Sequence, residues 1–405
     1  MGNYCVATYR SFDDKADFHK KAQSIAVGLT VGSWTELPEA QKAEMEKHLG
    51  IVKQVNVHES DVPGGRYADI RIAYPDINFS RDIPALLVTI FGKLSMDGKI
   101  KLLDIDFSED FLAAFPGPKF GLQGIRDLLG VHDRPLLMSI FKSVVGHDLD
   151  NLREQFYKQA LGGVDLIKDD EILFENPLTP IEKRVEVCMD AARKASEQTG
   201  QKLLYAVNLT GPTSQLASQA LKAINAGANA LLFNVLSYGY DVLHELSSNP
   251  DITVPIAAHP ALAGALYPSQ HYGIAAPLLL GKLMRVAGAD LSLFPSPYGS
   301  VVMPKEENLA VREALLDPSL PVKASVPVPS AGIHPGIVPL IWKDFGLDVV
   351  VNAGGGIHGH PMGTAAGGQA FRQAIEAAMN NVPLEDKAKQ HPELEQAIAL
   401  WGIKK

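Results

Sequence analysis

From about residue 130 onward the chain repeats one two-part pattern, a short apolar run followed by a stretch of helical periodicity, and it does so eight times. The runs fall at 136–141, 163–167, 203–207, 228–233, 254–258, 291–294, 324–328 and 347–351. Short runs that are apolar almost throughout are what strands buried on both faces look like. The stretches between them, such as 180–198 and 365–379, carry periodic apolar positions among good helix formers. Eight such units close into a (β/α)8 barrel, the TIM architecture, so residues 123–405 are expected to form an α/β barrel.

Residues 1–122 follow another plan. Strand-like 4–9, 67–73 and 85–91 are interrupted by helical 14–26 and 38–49, which predicts a smaller α+β domain ahead of the barrel. The segment Phe115-Pro116-Gly117-Pro118-Lys119-Phe120-Gly121 is the natural connection between them. A chain of 405 residues with 46% hydrophobic content has the material for both cores.

Composition excludes several classes of partner. A net charge of −9 with no basic cluster argues against nucleic acid and against an anionic membrane surface. No apolar run approaches the roughly twenty residues of a membrane span, and the N-terminus MGNYCVATYR lacks the basic and apolar regions of a signal peptide. Cys5 and Cys188, far apart and without metal spacing, read as reduced packing residues. A cytoplasmic enzyme is expected, and a small anionic substrate would have to be met by local cations.

Barrel enzymes carry their chemistry at the carboxyl ends of the strands, and unusual polar residues fall there repeatedly. Lys142 follows strand 1, Lys168-Asp169-Asp170-Glu171 ends strand 2, and Asn208 and Asn234 follow strands 3 and 4. His259 follows strand 5, Ser330-Ala331-Gly332 strand 7, and Asn352-Ala353-Gly354-Gly355-Gly356 strand 8. Mg²⁺ takes oxygen ligands and commonly only one or two protein carboxylates, which Asp170 and Glu171 could supply; a solvated turn is the plainer alternative. The glycines would let backbone N–H groups approach a phosphate closely, although glycine runs also make simple turns.

The order of residues in Gly162-Gly163-Val164-Asp165-Leu166-Ile167-Lys168-Asp169-Asp170-Glu171 closely resembles the activation-lysine segment of the Rubisco superfamily. Gly354-Gly355-Gly356-Ile357-His358-Gly359-His360-Pro361-Met362-Gly363 resembles its phosphate loop, and Gly32-Ser33-Trp34-Thr35 and Arg134-Pro135-Leu136-Leu137 extend the likeness over essentially the whole chain. The resemblance implies that Lys168 is carbamylated by CO₂ and that the carbamate, with Asp170 and Glu171, binds Mg²⁺. It further implies that Ser330, Gly332, Gly354 and Gly355 hold a phosphate, with Lys142 and His259 on the substrate. In the superfamily the N-terminal domain of one subunit completes the barrel mouth of another, so a homodimer with shared sites is implied, with Ser33 and Trp34 acting across it.

The departures narrow the activity. Val144 stands where true Rubiscos have a second lysine, Pro260 replaces the arginine that grips a second phosphate, and Gly28 replaces a glutamate of the N-terminal domain. The strand-6 loop Phe294-Pro295-Ser296-Pro297-Tyr298-Gly299-Ser300-Val301-Val302-Met303-Pro304 lacks both the phosphate-binding histidine and the mobile-loop lysine, and Lys305 is one place off. A monophosphate substrate and no CO₂ fixation are therefore expected. Phe91-Gly92-Lys93-Leu94-Ser95 resembles the Rubisco-like branch that enolises 2,3-diketo-5-methylthiopentyl 1-phosphate in methionine salvage, which makes Lys93 the proton acceptor. A Rubisco-like isomerase or epimerase of a related sugar phosphate, a residual carboxylase, and a noncatalytic regulatory or binding protein that kept the barrel remain the alternatives.

Overall fold

Strand Tyr4–Phe12 alternates buried and half-buried side chains along its whole length, the signature of a sheet with one covered face. It is the centre of a five-stranded sheet, paired antiparallel with Tyr67–Pro75 on one side and Ile100–Asp106 on the other, with Ile51–His58 at the edge beyond Tyr67–Pro75. Helix Phe18–Gly28 buries Phe18, Ala22, Ile25 and Ala26, the i, i+3, i+4 stripe that such a sheet requires. The computed structural model describes residues 3–32, 38–299, 301 and 303–404.

One sequence expectation is corrected here. Residues 85–91 are helical: Ile83–Leu87 is an α-helix running into a wider π turn at Val88–Gly92. Asp82 caps the first turn by accepting from the Ala85 N–H at 2.7 Å, and Pro84 sits where a missing N–H costs nothing. Burial of Ile83, Leu86, Ile90 and Leu94 follows the helical repeat, and Tyr9 fixes the segment by donating its hydroxyl to the Ile90 carbonyl at 2.6 Å. Strands Ile51–His58 and Ile100–Asp106 were not anticipated, because their polar residues disguise the alternation.

The barrel strands are Leu136–Ile140, Leu166–Lys168, Leu204–Leu209, Ala230–Phe233, Ile256–Ala258, Leu291–Pro295, Val326–Ser330 and Val350–Ala353, all parallel and each overlapping a predicted run. The ladder runs 7-6-5-4-3-2-1-8 and has no rung between strands 7 and 8 among the described residues. Strand 7 explains the gap. Its Val326 N–H turns toward strand 6, donating to the Asp290 carbonyl at 2.8 Å, so alternation aims Pro327 and Pro329 toward strand 8, and proline has no N–H to give. The barrel is nearly closed, and Asn352 of strand 8 spans the seam with a side-chain bond of 2.8 Å to Ser330 Oγ.

The closed end is plugged by helix Gly121–Leu129, whose Ile125 and Leu129 join Leu136, Leu166, Leu204 and Leu232 in the barrel interior. The segment ahead of it is firmly tied down: the Phe120 and Gly121 N–H groups donate to Asp290 at 2.7 and 2.8 Å, and Lys119 donates to the Asn249 and Ile252 carbonyls. The loop after strand 5 reaches back and adds Gly273–Ile274 as a parallel fifth strand beside Ile100–Asp106. No helix among the described residues is long and apolar enough to cross a membrane.

Candidate active site

Strand 2 ends by sending its charged side chains in two directions. Asp169 turns inward and is fully buried, accepting from the Tyr205 hydroxyl at 2.7 Å and the Asn208 N–H at 2.9 Å, with Arg184 at 3.3 Å. Such partners leave it no ligand-binding role. Lys168 is 1% exposed, donates to the Asp169 carbonyl at 2.9 Å and lies 3.7 Å from Glu171 Oε2. Burial pushes its amine down to about 8, against the pull of Glu171 and Asp170 toward the charged form.

Glu171 lines the mouth, and Asp170, 8% exposed, lies behind it against Lys142. Lys142 donates to Asp170 Oδ2 at 3.0 Å, and His259 Nε2 lies 3.5 Å from Glu171 Oε2. The other ring nitrogen of His259 accepts from the Ala261 N–H at 3.2 Å, so the proton belongs on Nε2. Burial and the Lys168 charge push this histidine down to about 3, making it a neutral donor at physiological pH.

Asn208 and Asn234 hold the loop that carries these carboxylates. Asn208 Nδ2 donates to the carbonyls of Asp170, Glu171 and Leu173 at 3.3, 2.9 and 3.2 Å, and Asn234 Nδ2 reaches the Glu171 carbonyl at 3.3 Å. Lys142 is braced through its backbone, whose carbonyl accepts from Gln155 Nε2 at 3.0 Å. Its stem packs on Gly354, where a Cβ would stand 3.0 Å from Lys142 Cε.

Lys142, Lys168, Glu171 and His259 open into one cavity of about 530 Å³ that is also lined by Ser330, Gly332, Gly354 and Gly355. Gly332 has φ +66°, a conformation that favours glycine, and a side chain at Gly356 would strike the Ile333 carbonyl at 2.3 Å. Strands 7 and 8 thus present bare backbone to the cavity. Pro260, Leu293, Phe294, Pro295 and Val301 make an apolar wall. His334 and Trp401, stacked with centroids 6.1 Å apart, also line the cavity and were not anticipated; Trp401 ends an ordinary-looking helix, Pro392–Trp401, far along the chain from the lysines.

One expectation lies elsewhere. Lys93 is exposed and lines a separate cleft of about 180 Å³ with Gly28 and Asp97, not the barrel cavity of its own chain. Ser33 and Trp34 fall outside the described residues. Lys305 pairs with Asp344 at 2.8 Å and does not line the cavity, as its displaced position suggests. Among the described residues no group of three or more His, Cys, Asp or Glu is placed to hold a metal.

Barrel, appended α+β sheet and lysine–carboxylate mouth together make up the architecture of the Rubisco large subunit. The family model described as ribulose bisphosphate carboxylase large chain, catalytic domain, matches residues 121–299 and 306–401. The 2,3-diketo-5-methylthiopentyl-1-phosphate enolase of Bacillus licheniformis is 55% identical over 397 residues, covering 98% of each chain. A Rubisco-like protein from Alicyclobacillus acidocaldarius superimposes with a TM-score of 0.93 at 50% identity, over 98% of this chain and 100% of that one. The octameric Rubisco of Pyrococcus horikoshii gives 0.91 at 30% identity, over 100% of this chain and 94% of that one. The chain belongs to the Rubisco superfamily, and within it to the Rubisco-like 2,3-diketo-5-methylthiopentyl-1-phosphate enolases.

Proposed function

We propose that this chain is an isomerase that enolises 2,3-diketo-5-methylthiopentyl 1-phosphate to 2-hydroxy-3-keto-5-methylthiopentenyl 1-phosphate in methionine salvage, and that it does not fix CO₂. The observation that carries the reading is the single cavity in which a lysine–carboxylate cluster faces a backbone cradle, while Pro260 and Pro295 give the remaining wall no charge. One phosphate and an apolar tail suit that division. A bisphosphate does not.

Asp170 and Glu171, with Lys168 as its carbamate, fit a hard divalent cation: the donors are oxygens, and the buried amine is pushed down far enough to be neutral in a useful fraction and so able to take up CO₂. Mg²⁺ bound there would supply Lewis acidity toward the vicinal carbonyls of the substrate. The N–H groups of Gly332, Gly354 and Gly355, with Ser330, would grip the phosphate. Lys93 would take a proton from C1; the C–H electron pair becomes the C1–C2 double bond, and the displaced carbonyl pair is protonated on the C2 oxygen. Lys142 offers positive charge to the developing enolate and His259 Nε2–H a hydrogen bond.

Because Lys93 faces a cleft apart from the barrel cavity of its own chain, the proposal places it in the site of a second subunit, in a homodimer of shared sites. Residues 1–122 are then the unit that reaches the partner and 123–405 the catalytic barrel, in a cytoplasmic setting that suits the buried free thiols Cys5 and Cys188.

The test incubates the enzyme with bicarbonate and Mg²⁺, supplies freshly generated diketone phosphate, and follows the absorbance of the conjugated enol and the NMR spectrum of the product. Mg²⁺-dependent enol formation that falls by about 10²- to 10⁴-fold in Lys93→Ala, the usual contribution of a positioned base, is expected. A return of the proton to carbon would make the protein a related isomerase. Mixed Lys93→Ala and Asp170→Asn subunits should recover activity, and none after verified exchange would sink the shared site.

A further inference from the structure

We infer that His358 is a positioning residue that joins the phosphate cradle to both active-site lysines through a single peptide plane. The inference rests on the proposed role of Gly354 and Gly355 in holding phosphate, and it deepens that reading. His358 ends the short helix Gly355–His358 that follows the cradle. Its Nε2 lies 2.7 Å from the Ile140 carbonyl at the end of strand 1, and its Nδ1 lies 3.4 Å from Thr364 Oγ1. A carbonyl only accepts, so the ring proton sits on Nε2, and Nδ1 is left to accept from the threonine hydroxyl.

The Ile140 carbonyl and the Phe141 N–H belong to one planar peptide unit. That N–H donates to the Lys168 carbonyl at 3.0 Å, and the next residue is Lys142. One rigid plate is therefore held by the phosphate side through His358 and by the Lys168 carbonyl on the other side, with Lys142 joined to it through Phe141, one residue on. Gly354 lies against the side chains that flank the plate: a Cβ there would lie 3.7 Å from Ile140 Cβ and 3.0 Å from Lys142 Cε. Ser143, with φ 54°, takes up the sharp exit of the chain, so Lys142 has little slack with which to compensate if the plate turns.

A ligand that presses on the Gly354–Gly356 backbone thus moves His358, and His358 moves the plate. Neighbouring His360 does not share this role, since its Nε2 bonds the Glu393 carbonyl of the C-terminal helix at 2.7 Å.

The experiment compares His358→Leu with His358→Gln, whose Nε2 keeps a donor at nearly the same reach. It measures kcat and KM for the diketone phosphate and the dissociation constant of inorganic phosphate, on the full-length enzyme. In His358→Leu the KM and the phosphate dissociation constant should rise and kcat should fall, each about tenfold, the size expected when a buried acceptor loses its donor. His358→Gln should recover most of each. Unchanged constants in the leucine variant, or equal damage in both variants, would overturn the inference. Should the leucine variant fail to fold, ring ¹⁵N NMR of the unaltered enzyme decides: phosphate titration should move the His358 Nε2 resonance, and a resonance that stays put while phosphate binds elsewhere in the spectrum refutes the coupling. An unaltered enzyme that does not bind inorganic phosphate at all would remove the cradle reading and this inference with it.

Discussion

Three consecutive acids follow Lys168, and they part ways: Glu171 lines the cavity, Asp170 pairs with Lys142, and Asp169 turns inward. Asp169 belongs to a buried cluster with Arg184 and Tyr205, both side chains of the Arg184–Asp169 pair being 0% exposed. Replacing Arg184 with Leu leaves that carboxylate without its counter-charge and should destabilise the protein by about 3–5 kcal/mol in urea unfolding, because an uncompensated buried charge costs far more than a surface pair contributes. Lys168 makes a prediction of the opposite kind, about reactivity. CO₂ adds only to the neutral amine, and burial has pushed this one down to about 8 from the ordinary lysine range. In metal-free protein the ¹³C carbamate signal should therefore grow as pH rises through about 8, and it should be absent in Lys168→Met; growth only near the pH of a surface lysine would contradict the burial argument. The lysine and the carboxylates of Asp170 and Glu171 were legible from their order in the chain. The brackets behind them, Gln155 on Lys142 and His358 on Ile140, were not, since each sits on a helix whose local pattern says nothing of a contact made at the far end of another element.

At the level of elements the barrel strands could be read because each is apolar on both faces, which few other structures require. The segment 85–91 could be misread for the same reason: Leu86, Leu87, Val88, Ile90 and Phe91 have a strand's composition, and the helix is declared outside the run, by Asp82 and Pro84. That cap carries a consequence. Asp82→Ala should cost about 1 kcal/mol of stability, the usual worth of a lost N-cap, and its effect on turnover should be concentrated in kcat, because the helix it starts ends at Lys93. Equal loss of stability with unaltered kcat would mean that Lys93 is positioned by something other than this helix. The two-residue strand Gly273–Ile274 could not have been foreseen from any periodicity. Only the structure shows that Gly273, at φ +85°, passes so close to Leu266 that a side chain there would lie 1.8 Å from its carbonyl oxygen, and that Lys101 fastens the loop by donating to the Tyr267 and Ser269 carbonyls.

For the molecule as a whole, the loop that begins with His259 is stitched into the N-terminal sheet, so the strand-5 side of the mouth is anchored to the first half of the chain. The strand-7 and strand-8 side is bound differently. Pro327 and Pro329 deny the barrel its last ladder, and Asn352 bridges the gap with a side chain. Gly332 stands on one bank of that gap and Gly354 and Gly355 on the other. An anion held by both banks, as proposed for the phosphate, would do the work of a missing rung. Inorganic phosphate at a hundred times its dissociation constant should then add about 2.7 kcal/mol, visible as a rise in Tm, with hydrogen exchange slowed most in strands 7 and 8. Slowing spread evenly over the barrel would show that the gap is not where the phosphate acts. In this reading the substrate completes the scaffold that receives it, and the empty enzyme is the less finished of the two forms.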